Sequence, residues 1–343
     1  MNATLMIALL LSSPAIHSRQ TAGSAADTID YLGWKNCHRL ANDRAELIVV
    51  PQIGRAAVFR LKDGPNAFWF DEKSGGRTRT VTDPYINFGG LYTWLAPEKH
   101  WSSTPQQAAG NGFFPPLDCL PHQVKQAGPR SVTIACRDEG KYNLTIEKTY
   151  RLDEKQPCFH YTVTLANHNA VPVRWSVWNL AGARAEGKVV FEAPGGVGSF
   201  KYIMNAEGSP EHYQAHTRFA GPLAVVDFAA RGRRNNAYVP PAGRFCAHAM
   251  PDAWLVRTFP TPKPTELFTD NHSQIELWVD GDFREIEIVS PESKIEPGES
   301  LSWTETFTLV PIADLACPDD PDQLPAAVAR LLDRCPSPPN AAP

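Results

Sequence analysis

Residues 300–310 read SLSWTETFTLV. Leu301, Trp303, Phe307 and Leu309 alternate with Ser302, Thr304, Thr306 and Thr308, the period-two pattern of a strand with one buried and one wetter face. Leu144 and Ile146 alternate with Thr145 and Glu147 in the same way. Similar runs lie at 46–50, 55–61, 131–136, 159–165, 171–178, 223–228, 275–279 and 285–289. The spacing predicts about ten to fourteen strands. One helix is expected near 323–334, where Ala327, Val328, Leu331 and Leu332 follow helical spacing. The chain therefore reads as all-β, with a single two-sheet assembly over about residues 34–312 and little helix before 320.

Composition agrees and narrows the class. The 343 residues include 31 prolines, well above the usual ~5%, and 23 glycines, which together favour turns over long helices. Lys plus Arg is 33 against 37 for Asp plus Glu. That balance gives no electrostatic reason to expect nucleic acid or an anionic membrane as partner. A hydrophobic share of 43% with 20% charged residues describes a folded core.

The N-terminus suggests a compartment. Leu5 to Leu11 (LMIALLL) is followed by small and polar residues up to Ala26. A short apolar run of this kind reads as a secretory signal of about residues 1–24, too short to span a bilayer. The mature chain is expected to begin between about residues 18 and 28, to lack a membrane span, and to be secreted or periplasmic. Residues 30–315 then form the β domain, and 316–343 a Pro-rich tail with the short helix. Seven cysteines suit an oxidising compartment, and no C-x-x-C pair points to zinc or redox chemistry. Cys317 and Cys335 bracket the helix and could staple it.

Common catalytic signatures are missing: no G-x-S-x-G elbow, no phosphate loop, no dinucleotide fingerprint and no H-E-x-x-H. No cofactor or metal is expected. His212 and His216 have ligand spacing beside Glu211, but Pro210 and the weak helical pattern make them loop residues. Two segments, 71–121 and 194–222, read as long loops, the first rich in aromatics. Within it, YINFGGLYTWLAPEKHW (85–101) offers Asn87 for hydroxyls, Trp94 and Trp101 for stacking, and Glu98 or His100 for proton transfer. In QIELWV (274–279), Ile275, Leu277 and Val279 take one strand face, and Glu276 and Trp278 the other. An indole covering the apolar face of a pyranose beside a carboxylate that accepts hydroxyl protons suits a sugar site. The same pattern also fits a solvated strand face.

Three segments, in order, resemble the galactose-mutarotase-like (aldose 1-epimerase-like) superfamily. NDRAELIVVPQIGRAAVFRL at 42–61 is similar to its opening Asn, strand pair and Gly turn. TLANHNAVPVRWSVWNLAG at 164–182 is similar to the strands ending in its His-x-Tyr-Phe-Asn-Leu-Ala-Gly-like motif. IEL at 275–277, PGE at 297–299 and Trp303–Leu309 are similar to its base-bearing strand, turn and last strand. The resemblance implies a β-supersandwich. It also implies that Glu276 occupies the position of the base that takes the anomeric proton. The family's two histidines fall on Trp175 and on Phe88, neither of which donates a proton to a ring oxygen. The base position is thus kept and the acid pair replaced, as in a secreted branch that has lost ordinary mutarotation.

Three readings of function stay open. One is a saccharide-binding or saccharide-acting sandwich in which Trp175 adds a stacking face. Another is a divergent epimerase with Glu276 as base and His100 as acid. The third is a lyase or hydrolase on the same fold. A proton donor facing Glu276 would favour the enzymes, and a ring of tryptophans and amides would favour binding.

Overall fold

The computed structural model describes residues 26–336 apart from 81–82, 101–114, 119, 140–141, 197–200, 204–215, 229–231 and 282. The expected signal, Trp101, Glu211, His212 and the last seven residues lie outside the described residues.

Two antiparallel sheets make up the molecule, with strands numbered along the chain. Sheet one begins with β1 (Asp27–Tyr31), β2 (Trp34–Ala41), β3 (Ala45–Val50), β4 (Arg55–Leu61) and β5 (Leu91–Ala96). It continues through β10 (Val173–Ala183), β19 (Phe283–Val289), β18 (Ile275–Gly281), β15 (Gly232–Val239) and β12 (Lys201–Ile203). A short β20 (Ser293–Ile295) pairs with β10. Sheet two runs β13 (Thr217–Ala220), β14 (Leu223–Asp227), β11 (Lys188–Glu192), β16 (Phe245–Ala249) and β17 (Ala253–Thr258). Then come β21 (Ser300–Pro311), β9 (Cys158–Asn167), β8 (Leu144–Leu152), β7 (Ser131–Asp138) and β6 (Gln123–Gly128).

The inner faces meet in one core. Val177, Leu277 and Ile288 of sheet one and Phe159, Val163 and Phe307 of sheet two all belong to it. Phe159 and Phe307 stack at 4.8 Å, and Phe59 meets Phe159 edge-on at 4.6 Å. Glu305 breaks the apolar face of β21, and the core accommodates it by satisfying it. Arg257 pairs with it at 2.6 Å, while Asn179 (2.7 Å) and the Trp303 indole (3.1 Å) donate to its other oxygen. Such a charge is tolerable inside only when paired and fully hydrogen-bonded.

The outer face of sheet two is closed by a C-terminal helix. Two helices are described, the one-turn α1 (Pro115–Asp118) and α2 (Leu324–Leu332). In α2, Leu324, Val328 and Leu331 pack on Val190, Trp254, Val256 and Val310. All six described cysteines are free, so Cys317 and Cys335 do not staple this helix.

Sequence periodicity undercounted the strands, since eleven and ten are found in the two sheets among the described residues. β12 and β20 have three residues each, too few to display a period. The stretch 71–121 is also not one loop, because it contains β5, a central strand of sheet one. Every residue of LYTWLA is buried, so both faces are covered and no alternation shows. Likewise 194–222 contains β12 and β13.

Candidate functional site

Side chains alternate along a strand, so register determines which residues share the outer face of sheet one. Ile275, Leu277 and Val279 enter the core, which turns Glu276 and Trp278 outward. Directly opposite Glu276 stand Glu287 on β19 and Tyr238 on β15. The same row continues from Glu287 to Leu180 of β10 and Tyr92 of β5. On one side of it lies the row Trp94, Trp178 and Val289. On the other side lie Gly182, Glu285, Trp278 and Asn236.

Three carboxyls therefore crowd two adjacent strands, and all are buried: Glu276 is 2%, Glu287 3% and Glu285 6% exposed. Each has one neutral donor. The Ser273 hydroxyl donates to Glu276, the Trp178 indole to Glu287 at 2.7 Å, and the Tyr92 hydroxyl to Glu285. No Lys, Arg or His forms an ion pair with any of the three among the described residues. Burial raises the Glu276 carboxyl well above the usual carboxylate range, and Asp270 and Glu98 push the same way. Burial also raises Glu287, reinforced by Glu285 and Glu276. Glu285 is raised by burial to about 7, with Tyr92 and Arg55 opposing. Like carboxyls that face one another cannot both ionise readily, so the pair retains a proton.

The residues singled out in the sequence separate into two groups. Trp94 joins the Glu276 face, with its ring edge-on to Trp178 at 5.5 Å. Glu98 is exposed, but its backbone N–H donates to Asp270 at 3.1 Å, and partial desolvation with Asp270 raises its carboxyl. Trp278 is partly exposed on the same face as Glu276. His100 and Trp175 lie elsewhere. Trp175 shares a strand face with Val177 and Asn179, and it packs against Tyr142 at 5.1 Å and His100 at 5.4 Å. Trp175 and Trp178 are three positions apart, which puts them on opposite faces. Asn87 holds a turn, its side-chain oxygen accepting the Gly89 N–H at 3.0 Å. Gly89 has φ +70°, and a Cβ there would meet the Trp69 carbonyl oxygen at 2.4 Å, so the turn itself requires glycine. Phe88 is fully buried, edge-on to Trp34 at 6.1 Å and 5.4 Å from the Arg55 guanidinium.

Sequence reasoning missed Glu287, Glu285, Trp178 and Tyr92. A signal existed for the first two, since Glu285 and Glu287 alternate with Ile286 and Ile288. Beneath this face, Arg55 pairs with Asp118 at 2.6 Å, both wholly buried, and lies 4.3 Å from the Tyr92 ring centre.

A family model described as a domain of unknown function (DUF4380) matches residues 36–310. The chain belongs to the DUF4380 family. No curated protein matches this DUF4380 sequence. Solved structures do. A galactose mutarotase-like protein from Lactobacillus casei is 9% identical, with TM-score 0.53 over 80% of this chain and 100% of its own. A galactose mutarotase-like protein from Clostridium acetobutylicum is 12% identical, with TM-score 0.52 over 80% and 95%. A proposed aldose 1-epimerase from Escherichia coli is 13% identical, with TM-score 0.51 over 80% and 98%. The DUF4380 chain thus has the galactose-mutarotase-like sandwich. At these identities the likeness is one of fold.

Chemically, the DUF4380 face offers a proton-sharing carboxyl pair bordered by indoles. Among the described residues, no group of three or more His, Cys, Asp or Glu side chains is arranged to hold a metal ion.

Proposed function

We propose that this DUF4380 protein acts on a saccharide through a carboxyl pair, with Glu276 as base and Glu287 as acid. The observation that carries the reading is their direct opposition across β18 and β19. One proton shared by the pair leaves one member able to accept and the other able to donate. With a cyclic sugar on this face, ionised Glu276 takes the anomeric hydroxyl proton and the ring C–O bond breaks. Its electron pair goes to the ring oxygen, which receives the proton from Glu287. Closure on the other face of the carbonyl reverses both transfers, giving anomer exchange with no net change in protonation. Glu287 fills the role that the sequence reading gave to His100, whose ring lies against Trp175. Trp278 supplies the stacking plane. The fold shared with galactose mutarotase-like proteins supports a carbohydrate role. The apolar run Leu5–Leu11 supports a secreted or periplasmic setting.

The test is an NMR assay of anomer exchange run beside a glycan-binding screen. Exchange abolished in Glu287→Gln as well as Glu276→Gln supports the pair. Exchange that survives loss of Glu287 overturns it. A second reading, saccharide retention without turnover, is favoured by the near-complete burial of both carboxyls and the Trp178 bond to Glu287. It requires binding in the screen with no exchange.

A further inference from the structure

Two buried polar side chains on the acid-bearing face lack partners. Gln274 precedes β18 but keeps the ladder: its N–H donates to Val239 and its carbonyl accepts from Val289, both at 2.9 Å. Ile275 points into the core, so Gln274 points outward with Glu276. Its side chain is 1% exposed, and neither amide atom has a hydrogen-bond partner. Ser176, two residues before Trp178 and on the same face of β10, is fully buried with an unpartnered hydroxyl. Folded proteins seldom leave such groups unsatisfied. Gln274, next to the carboxyl row, marks a place that a polar ligand completes, while Ser176 lies four residues along β10 from that row.

The charge around that place indicates which ligand. Among the described residues, the acidic neighbours acting on Glu276 are Asp270 and Glu98, and those acting on Glu287 are Glu285, Glu276 and Asp270. Arg55 reaches Glu285 and is itself paired with Asp118. The remaining titratable groups facing the row are Tyr238, Tyr92 and Tyr85, all raised by burial and neutral at pH 7. Residues directly opposite in an antiparallel pair have Cβ atoms about 4.5–5.5 Å apart, so one cation can engage both carboxyls. Trp178 turns its N–H edge to Glu287, and the Trp278 indole on the same face is the one that can attract a cation through its ring.

We propose that the saccharide held on this face carries a protonated amine, its ammonium group between Glu276 and Glu287 and a hydroxyl reaching Gln274. This inference rests on the second saccharide reading above, retention without turnover, in which Glu287 donates no proton, and names the ligand class for the same site. A neutral sugar leaves the pair holding its proton, and an anionic sugar is repelled by the surrounding carboxyls. An ammonium group ionises the pair, exchanging the retained proton for two charge-assisted hydrogen bonds.

The experiment is calorimetric titration of the full chain at pH 7 with glucosamine, galactosamine and mannosamine. Each is compared with its parent hexose and its N-acetyl derivative. We expect at least one amino sugar to bind about tenfold or more tighter than both comparators, equivalent to ~1.4 kcal/mol. Repeating the titration in buffers of different ionisation heat should show about one proton released per sugar bound. Glu276→Gln and Glu287→Gln, each checked by thermal melt, should bring the preference close to unity. If hexose and amino sugar bind equally with no proton released, the amine proposal falls and the saccharide reading stands. If no sugar of either kind binds the wild-type chain, both fall.

Discussion

Glu276 and Glu287 face each other from neighbouring strands of sheet one, both buried and neither in an ion pair among the described residues. Antiparallel ladders usually set unlike or neutral groups opposite one another, because like charges there destabilise the sheet. Holding a proton on the pair removes that repulsion. It also keeps an acid and a base side by side near neutral pH.

Glu276→Gln keeps shape and hydrogen bonding but removes the proton acceptor. Anomer exchange should fall ~10²–10⁴-fold with saccharide affinity little changed. NMR exchange rates and titration read the two quantities separately. An affinity loss of ~1–3 kcal/mol at an unchanged rate would make Glu276 a hydroxyl anchor instead.

Glu285 gives stability a pH signature. Burial lifts its carboxyl from 4.5 to about 7 in the folded chain. A carboxyl that holds its proton more tightly when folded contributes stability that is fully present below the unfolded value. That contribution declines as pH rises toward the folded value. Relative to Glu285→Gln, the wild type should therefore lose stability between pH 4.5 and about 7 and then level off. Urea melts across that range test this, and parallel curves for the two proteins would refute it.

Trp278 and Trp94 should behave differently on truncation. Trp94 is 9% exposed and packed on Trp178, so Trp94→Ala should cost ~3–5 kcal/mol of stability. Trp278 is partly exposed, and Trp278→Ala should mainly weaken saccharide binding, by ~1–2 kcal/mol. Melts and titrations on both variants separate the roles. A Trp278 variant that loses stability but no affinity would count against stacking.

The Arg257–Glu305 pair lies within sheet two, at 2.6 Å in the core, and its hydrogen bonds to Asn179 and Ile286 reach sheet one. Arg257→Met should cost ~3–5 kcal/mol by leaving a buried carboxylate without its cation. The double variant Arg257→Met, Glu305→Leu should cost less than Arg257→Met alone. Denaturant midpoints decide, and a double variant worse than the single would contradict the account.

The sheet content and the outward turn of Glu276 and Trp278 were legible because alternation is local. SLSWTETFTLV and QIELWV both display it. β5 was not legible, since a strand buried on both faces looks like any apolar stretch. Glu287 was hidden for a different reason. Glu285 and Glu287 on alternate positions read as a wet face, and only the register with β18 brings them opposite Glu276 and Trp278. Trp175 was favoured over Trp178 because the resemblance aligned it with a histidine, whereas three residues of pleat turn the two indoles to opposite faces.

The order in which the strands pair bears on how the chain is made. β9 borders β21 from Ala166 with Ser300 to Cys158 with Thr308, and β10 lies between β5 and β19. On a ribosome, β9 and β10 emerge long before β21 and β19 exist to flank them. Contacts this distant in sequence slow closure, because the loops between them must first give up their freedom. The nascent protein thus carries unpaired, apolar strand edges through most of its synthesis, and its dependence on chaperones should be set by topology more than by final stability.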